Sequence, residues 1–229
     1  MTFVAPYAVT AAAGLPETRL PAELVRRLPD SVAPAPWQTR CQVVTWWHRP
    51  HRDAVELLPE PLRATPATMV IWALVRYRET PVGPYSEIAA TVAGPGHIPF
   101  IVVDSLPSIV GGRANWLLPK ALARFDWSAD EGAVTIAPEQ PAEPSWQIAV
   151  RARRIGPAFP SMARTRGRQV TEAGEVRSFA GRMRGLARYT KVVVDARADG
   201  PLSGLLRSGE FRGVTMTRAR FTAGGLDPA

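Results

Sequence analysis

The feature that most constrains this chain is its proline. Of 229 residues, 23 are Pro, and they recur along the whole length. Each fixes φ and removes a backbone donor, which suits short strands joined by turns better than long helices. Between the prolines lie runs rich in β-branched and aromatic residues, the composition of strands. Such runs are Trp37–Trp47, Thr68–Tyr77, Tyr85–Val92, Ile98–Val103, Leu122–Trp127, Ala133–Ile136 and Trp146–Ala152, followed by Val176–Met183, Tyr189–Ala196 and Arg212–Phe221. The turn Pro81-Val-Gly-Pro84 makes a hairpin of the second and third. Short helices are expected at Pro21–Leu28, His51–Leu58 and Leu202–Arg207, and at Leu106–Trp116, where Gly111-Gly112 interrupts. Residues 156–174, rich in Pro, Gly and Arg, read as a long loop. No repeat is present, and no βαβ alternation. The pattern predicts a mainly β (α+β) single domain, a barrel or sandwich with a few short flanking helices. Residues 1–36 read as an extended N-terminal arm and 37–229 as the β-rich domain.

Composition excludes several function classes. Hydrophobic content of 46% with 21% charged residues is that of a globular protein. The net charge of +8 comes from scattered arginines, densest over Arg151–Arg168. No zinc spacing, RNA-binding aromatic signature or basic heptad helix accompanies them, so no nucleic-acid partner is expected. Cys41 is the one cysteine; it permits no internal disulfide and reads as a small core residue in a reducing compartment. No apolar window reaches the roughly 18 residues of a membrane helix. No Lys or Arg precedes Ala11-Ala12-Ala13, so no signal peptide is expected and the default is cytoplasmic. His48, His51 and His97 lack ligand spacing with carboxylates. Ser161 and Ser203 lack a nucleophile-elbow setting, and Gly94-Pro-Gly96 is a turn with no helix after it. No metal or other cofactor is expected.

One stretch points to chemistry. Of 28 basic residues only Lys120 and Lys191 are lysines. Lys120 sits among Trp116, Leu117, Leu118, Pro119, Ala121 and Leu122. Arg stays charged, whereas a desolvated Lys can lose its proton and act as a nucleophile. A neutral amine attacks a ketone to give an iminium, an electron sink for making or breaking carbon–carbon bonds. The alternative is a lysine that reaches the surface and does no chemistry.

Three motifs in order resemble the acetoacetate decarboxylase-like family. Leu58-Pro-Glu-Pro-Leu62 resembles its Pro-Glu-Pro signature, and Pro84-Tyr-Ser-Glu87 its Tyr-x-Glu stretch. Gly112-Arg113 followed by Leu118-Pro-Lys120 resembles its Gly-Arg…Pro-Lys segment. The likeness covers about residues 37–125. It implies a β-barrel-like cone, a homo-oligomer, no cofactor, and a small keto acid or related carbonyl compound as substrate. It places Lys120 on the Schiff-base lysine, Glu87 on the essential carboxylate and Arg40 on the arginine that orients it. Trp72, Tyr85, Arg113 and Trp116 are the candidate substrate-binding residues.

Two positions depart from the pattern. The second Lys of the decarboxylases is Ala121 here, and a second acidic residue is Trp72, expected to make the pocket flatter and more apolar. Both put acetoacetate decarboxylation itself in doubt while leaving iminium chemistry intact. The expected activity is therefore a Schiff-base lyase, by decarboxylation or by aldol condensation with dehydration. The alternatives are a non-covalent acid–base cyclase or isomerase, and a catalytically silent small-molecule-binding protein.

Overall fold

Strand alternation decides which side chains this fold buries and where the site sits. A computed structural model describes residues 2–3, 12–130, 132–141 and 143–228. Strands β1 (Thr2–Phe3) and β2 (Ser31–Val32) form a small separate pair. Nine further strands close into a ring: β3 (Trp37–His48), β4 (Met69–Glu79), β5 (Tyr85–Ala93), β6 (His97–Val103), β7 (Lys120–Trp127), β8 (Ala133–Pro138), β9 (Trp146–Val170), β10 (Val176–Ala198) and β11 (Gly209–Pro228). They pair in chain order, and β11 returns to β3. The fold is mainly β, as the run of short apolar segments predicts. Helix α1 (Ala22–Arg27) follows Pro21, and α2 is Leu106–Trp116. The expected turns near residues 51 and 202 are short 3₁₀ segments, Arg52–Val55 and Pro201–Gly204.

Ring neighbours run antiparallel except β6 and β7, which are parallel. A parallel pair cannot be joined by a hairpin, and α2 is the crossover that joins it. Gly111 and Gly112 do not interrupt α2 as expected. They lie inside it because neighbours press on both: a Cβ at Gly111 would sit 2.4 Å from the Trp37 ring.

Period-two alternation gives the sheet two buried faces. Val44, Trp46, Trp72, Ile88, Phe100 and Ile148 belong to a core drawn from β3 through β10, which fills the ring. On the opposite face of β3–β6, residues such as Val43, Val75, Tyr77 and Tyr85 pack against Ile109 of α2 and Met216 of β11. The described part of the N-terminal segment lies against the barrel. Leu15, Thr18, Leu24 and Val32 are buried, and Leu15 N–H donates to Pro99 O at 3.0 Å. The rest of the expected arm, residues 1 and 4–11, lies outside the described residues.

Residues 156–174 do not form the expected loop. Strand β9 runs on to Val170, β10 begins at Val176, and Thr171–Glu175 alone makes the turn. Over this stretch β9 has β10 on one side, while β8 ends its pairing at Arg151 and β6 meets β9 only at Arg168. An edge strand tolerates Pro because the missing donor can face the unpaired side. An irregularity opposite Ala187–Tyr189 absorbs Gly156-Pro157.

The contact of β6 with β9 carries a buried histidine. His97 is 1% exposed, and its Nδ1 donates to Arg168 O at 3.2 Å, since a carbonyl can only accept. Burial lowers its pKa from 6.5 to about 4. In the unfolded chain the ring takes a proton near 6.5, so stability is fully present above that pH and is lost as pH falls toward 4. At about 1.36 kcal/mol per pH unit the loss is on the order of 3 kcal/mol. Chemical denaturation of wild type and His97→Gln at pH 7.5, 5.5 and 4.5 is expected to show a steeper decline in wild type.

Candidate active site

Lys120 opens β7 immediately after α2, and the turn between them aims its side chain. Leu117 ends the helix in the left-handed conformation, φ 55°, and Leu118 N–H reaches back to Gly112 O at 3.1 Å. The chain thus doubles back, and the Lys120 stem runs across Gly112. A Cβ at Gly112 would lie 2.4 Å from Lys120 Cδ and 2.6 Å from Cε, so only glycine leaves the passage open. Arg113 clamps the same turn. Its buried guanidinium donates from Nε to Lys120 O and from Nη2 to Thr18 O, each at 2.7 Å. Burial lowers the pKa of Arg113 to about 10, which leaves it cationic at neutral pH.

The amine ends in a closed polar cluster. Lys120 Nζ is 2.6 Å from Glu87 Oε2, 3.0 Å from Ser108 Oγ and 3.5 Å from Tyr85 Oη. The Lys120 and Glu87 side chains are only 4% and 9% exposed. Tyr77 Oη donates to the other carboxylate oxygen, Oε1, at 3.4 Å. The two tyrosine rings lie 4.5 Å apart, and Nζ is 5.1 Å from the Tyr85 ring centroid. Burial first, and then the Glu87 charge, hold both phenols well above their ordinary pKa of 10.0. The same two causes push the Cys41 thiol up to about 12. Around Glu87, therefore, the two phenols and the thiol stay protonated at neutral pH. Ser108 lies in the first turn of α2, whose amide end favours negative over positive charge nearby.

A cavity of about 520 Å³ opens onto this cluster. Its walls are mostly apolar, among them Trp37, Val43, Ile71, Trp116, Phe179 and Phe221, with Arg164 and Arg166 of β9 also lining it.

The structure brings some predicted residues together and separates others. Lys120, Glu87 and Tyr85 meet in the cluster, and Trp116 lines the cavity with its ring 5.0 Å from Trp37. Arg113 stands behind Lys120, on its backbone, and does not line the cavity. Trp72 is not a cavity wall. It shares a face with Val70 and Leu74 inside the ring, stacks on Trp46 at 6.0 Å and donates to His48 Nε2 at 3.3 Å. Ile71, Ala73 and Val75 take the cavity side of β4 instead, so the indole does not flatten the pocket. Arg40, expected to orient Glu87, has a 59% exposed side chain and pairs with Glu79 at 3.1 Å. Its neighbour Thr39 takes the cavity side. Sequence reasoning missed Tyr77 and Ser108. Tyr77 is two residues from Val75, which pairs with Glu87, so strand register was the signal that could have found it. Among the described residues no group of three or more His, Cys, Asp or Glu side chains could hold a metal ion, and no helix is long and apolar enough to cross a membrane.

The acetoacetate decarboxylase (ADC) family model matches residues 19–141, more than half of the chain. The chain belongs to the acetoacetate decarboxylase family. Solved structures show the same fold at low identity. An acetoacetate decarboxylase-like enzyme from Sphingomonas wittichii aligns with TM-score 0.60 and 15% identity, over 86% of this chain and 94% of that one. The acetoacetate decarboxylase of Legionella pneumophila aligns with TM-score 0.57 and 12% identity, over 88% and 90%. The enduracididine biosynthesis enzyme MppR, complexed with the condensation product of pyruvate and imidazole 4-carboxaldehyde, aligns with TM-score 0.51 and 14% identity, over 86% and 90%. A comparison with curated protein sequences finds no match.

Two expected outcomes follow from this geometry. Gly112→Ala should displace the Lys120 stem, lowering both thermal stability and any Lys120-dependent activity, read by melting and turnover on one preparation. Lys120→Met should destabilise the fold by about 3–5 kcal/mol, because Glu87 is left buried without its cation. Adding Glu87→Gln should recover part of that loss in urea denaturation, since the two sites are coupled.

Proposed function

We propose that this member of the family is a Schiff-base lyase acting on a keto acid through Lys120. The observation that carries the reading is the buried Lys120–Glu87 contact at the end of an apolar cavity. Glu87, at 2.6 Å, is placed to take the proton the amine must shed before it can attack. The amine attacks the keto carbon, the carbonyl electron pair moves to oxygen, and that oxygen takes the proton shed by the new nitrogen cation. Glu87 then protonates the carbinolamine hydroxyl, water leaves and the iminium forms. Loss of carbon dioxide, or of a C–H proton beside the iminium, gives an enamine. The enamine takes a proton, or it attacks an aldehyde whose oxygen is protonated and then leaves as water with loss of the adjacent C–H proton, and hydrolysis of the iminium frees Lys120. Tyr77 and Tyr85, held as phenols, supply donors to Glu87 and to the developing hydroxyl.

Cavity size favours condensation with dehydration over decarboxylation of a four-carbon acid. About 520 Å³ of mostly apolar space accommodates a second, apolar or aromatic carbonyl partner, and Arg164 and Arg166 can meet a carboxylate. The complex of MppR is with such a condensation product. A homo-oligomer belongs to the same proposal. Trp47, Ile155, Tyr189 and Val193 are exposed on the outward side of the sheet, and burying them is a reason to associate.

Borohydride trapping tests the reading. Incubation with pyruvate or with acetoacetate, reduction, digestion and mass spectrometry should place an adduct on the Lys120 peptide. Lys191, half-exposed and paired with Glu210 at 2.6 Å, should carry none. Glu87→Gln is expected to slow turnover by about 10²–10⁴, the usual contribution of a positioned acid or base. Turnover of any substrate that survives Lys120→Ala would sink the covalent mechanism in favour of an acid–base cyclase or isomerase. Ligand binding without product would favour a silent binding protein.

A further inference from the structure

The sheet side opposite Lys120 carries a second concave surface with different chemistry. Register places Arg184 of β10 opposite Arg220 of β11, Arg220 opposite Arg40 of β3, and Arg40 opposite Glu79 of β4. In-register partners share a face, and adjacent strands are about 4.8 Å apart, so three guanidinium groups stand in one row. One carboxylate, Glu79, closes the row at 3.1 Å from Arg40. Like charges directly opposite one another destabilise a sheet. The row and Arg182 line a cavity of about 480 Å³. An adjoining cavity of about 810 Å³ shares Arg40, Glu79 and Arg220 and adds Arg78, Arg154, Arg188 and Arg218.

The backbone is bent to make this surface. Strand β4 carries Arg78 as an extra residue between the partners of Arg40 and Cys41. In β11, Thr217 and Arg218 lie opposite the single residue Gln42, and Arg218 takes the left-handed conformation at φ 51°. Bulges re-aim side chains, and a non-glycine residue in that conformation is strained. Both irregularities put an arginine on the same cavity. A general excess of Arg spreads charge over a surface; it does not align three in register and place two more at bulges beside them.

Alternation along β3 puts Arg40 on the side of Gln42, Val44 and Trp46, the sheet face away from Lys120, while Thr39 and Phe221 border both cavities. Planar guanidinium forks in a row fit a chain of oxyanions, each bound by paired donors. One aromatic residue, Phe221, lines this surface, too few for the stacking platform of a single-stranded nucleic acid. We propose that it binds a short phosphate chain, free or carried by a nucleotide, at a site separate from the Lys120 cavity.

Calorimetric titration of the full chain with inorganic triphosphate and with ATP tests this. One saturable site is expected, at least tenfold tighter than for sulfate. Arg220→Ser and Arg184→Ser should each weaken it tenfold or more. Arg197→Ser, the same charge change at an exposed position elsewhere on β10, should alter it less than twofold. Equal affinity for triphosphate and ATP identifies the phosphate chain alone as the ligand, and tenfold tighter ATP identifies a nucleotide. Equal weakening by all three variants would reduce the effect to net charge and overturn the proposal. So would the absence of saturable binding to wild type, which needs no variant to fold, or tighter binding of a single-stranded oligonucleotide. Light scattering that shows Arg220→Ser dissociating an oligomer, without triphosphate binding in wild type, would assign the surface to a second copy instead.

Discussion

The Lys120–Glu87 pair is the interaction around which the rest of this barrel is arranged. The two residues lie on β7 and β5, with β6 between them: Glu87 pairs with Val103 and Lys120 with Ile101. An ion pair across an intervening strand requires a side chain that reaches over it, and it requires cover from above. Both come from the parallel pairing of β6 with β7. Because β6 and β7 are parallel, the chain must cross over between them, and the crossover is α2. That helix supplies Gly112 as a passage for the lysine stem and Ser108 as a partner for the amine. Withdrawing two charges from water costs several kcal/mol per ion, which a single contact does not reliably repay. The surrounding donors, Tyr77, Tyr85 and Ser108, complete the hydrogen bonding that such a pair needs. The proposed chemistry gives such a pair a reason that stability alone does not supply.

The same sheet separates two environments. Period-two alternation sends Thr39, Val43, Ile71, Val75 and Glu87 to one side and Arg40, Gln42, Val44 and Trp72 to the other. On the first side an apolar cavity surrounds one buried pair. On the second lie the apolar core that fills the ring and the row of arginines. Residues adjacent in sequence therefore serve different surfaces, and a motif copied by position carries no information about side.

That is why the sequence was legible in part. The strands were readable because β-branched and aromatic runs announce themselves, and the edge character of β9 was not, because Pro157 and Pro160 look like a loop until pairing is known. Lys120 and Glu87 were readable from motifs with rigid local geometry: a turn after a helix, and a strand residue two after a tyrosine. Arg40 and Trp72 were placed by counting along strands, and counting does not say which face a residue takes. Tyr77 and Ser108 lie in no motif. They enter the cluster through strand register and helix packing, which are properties of the folded sheet.

The two departures from the decarboxylase pattern gain a different meaning from their position. Ala121 and Trp72 both belong to the core inside the ring, on the side away from the Lys120 amine. A lysine at 121 and a carboxylate at 72 would place two charges where this barrel packs Trp46, Phe100 and Ile148. The methyl of Ala121 and the indole of Trp72 suit that apolar interior. They take nothing from the groups that touch Lys120, which are Glu87, Ser108 and Tyr85. In this fold the polar surroundings of the Lys120 amine come from α2 and β5, and the neighbouring residue Ala121 has no part in them.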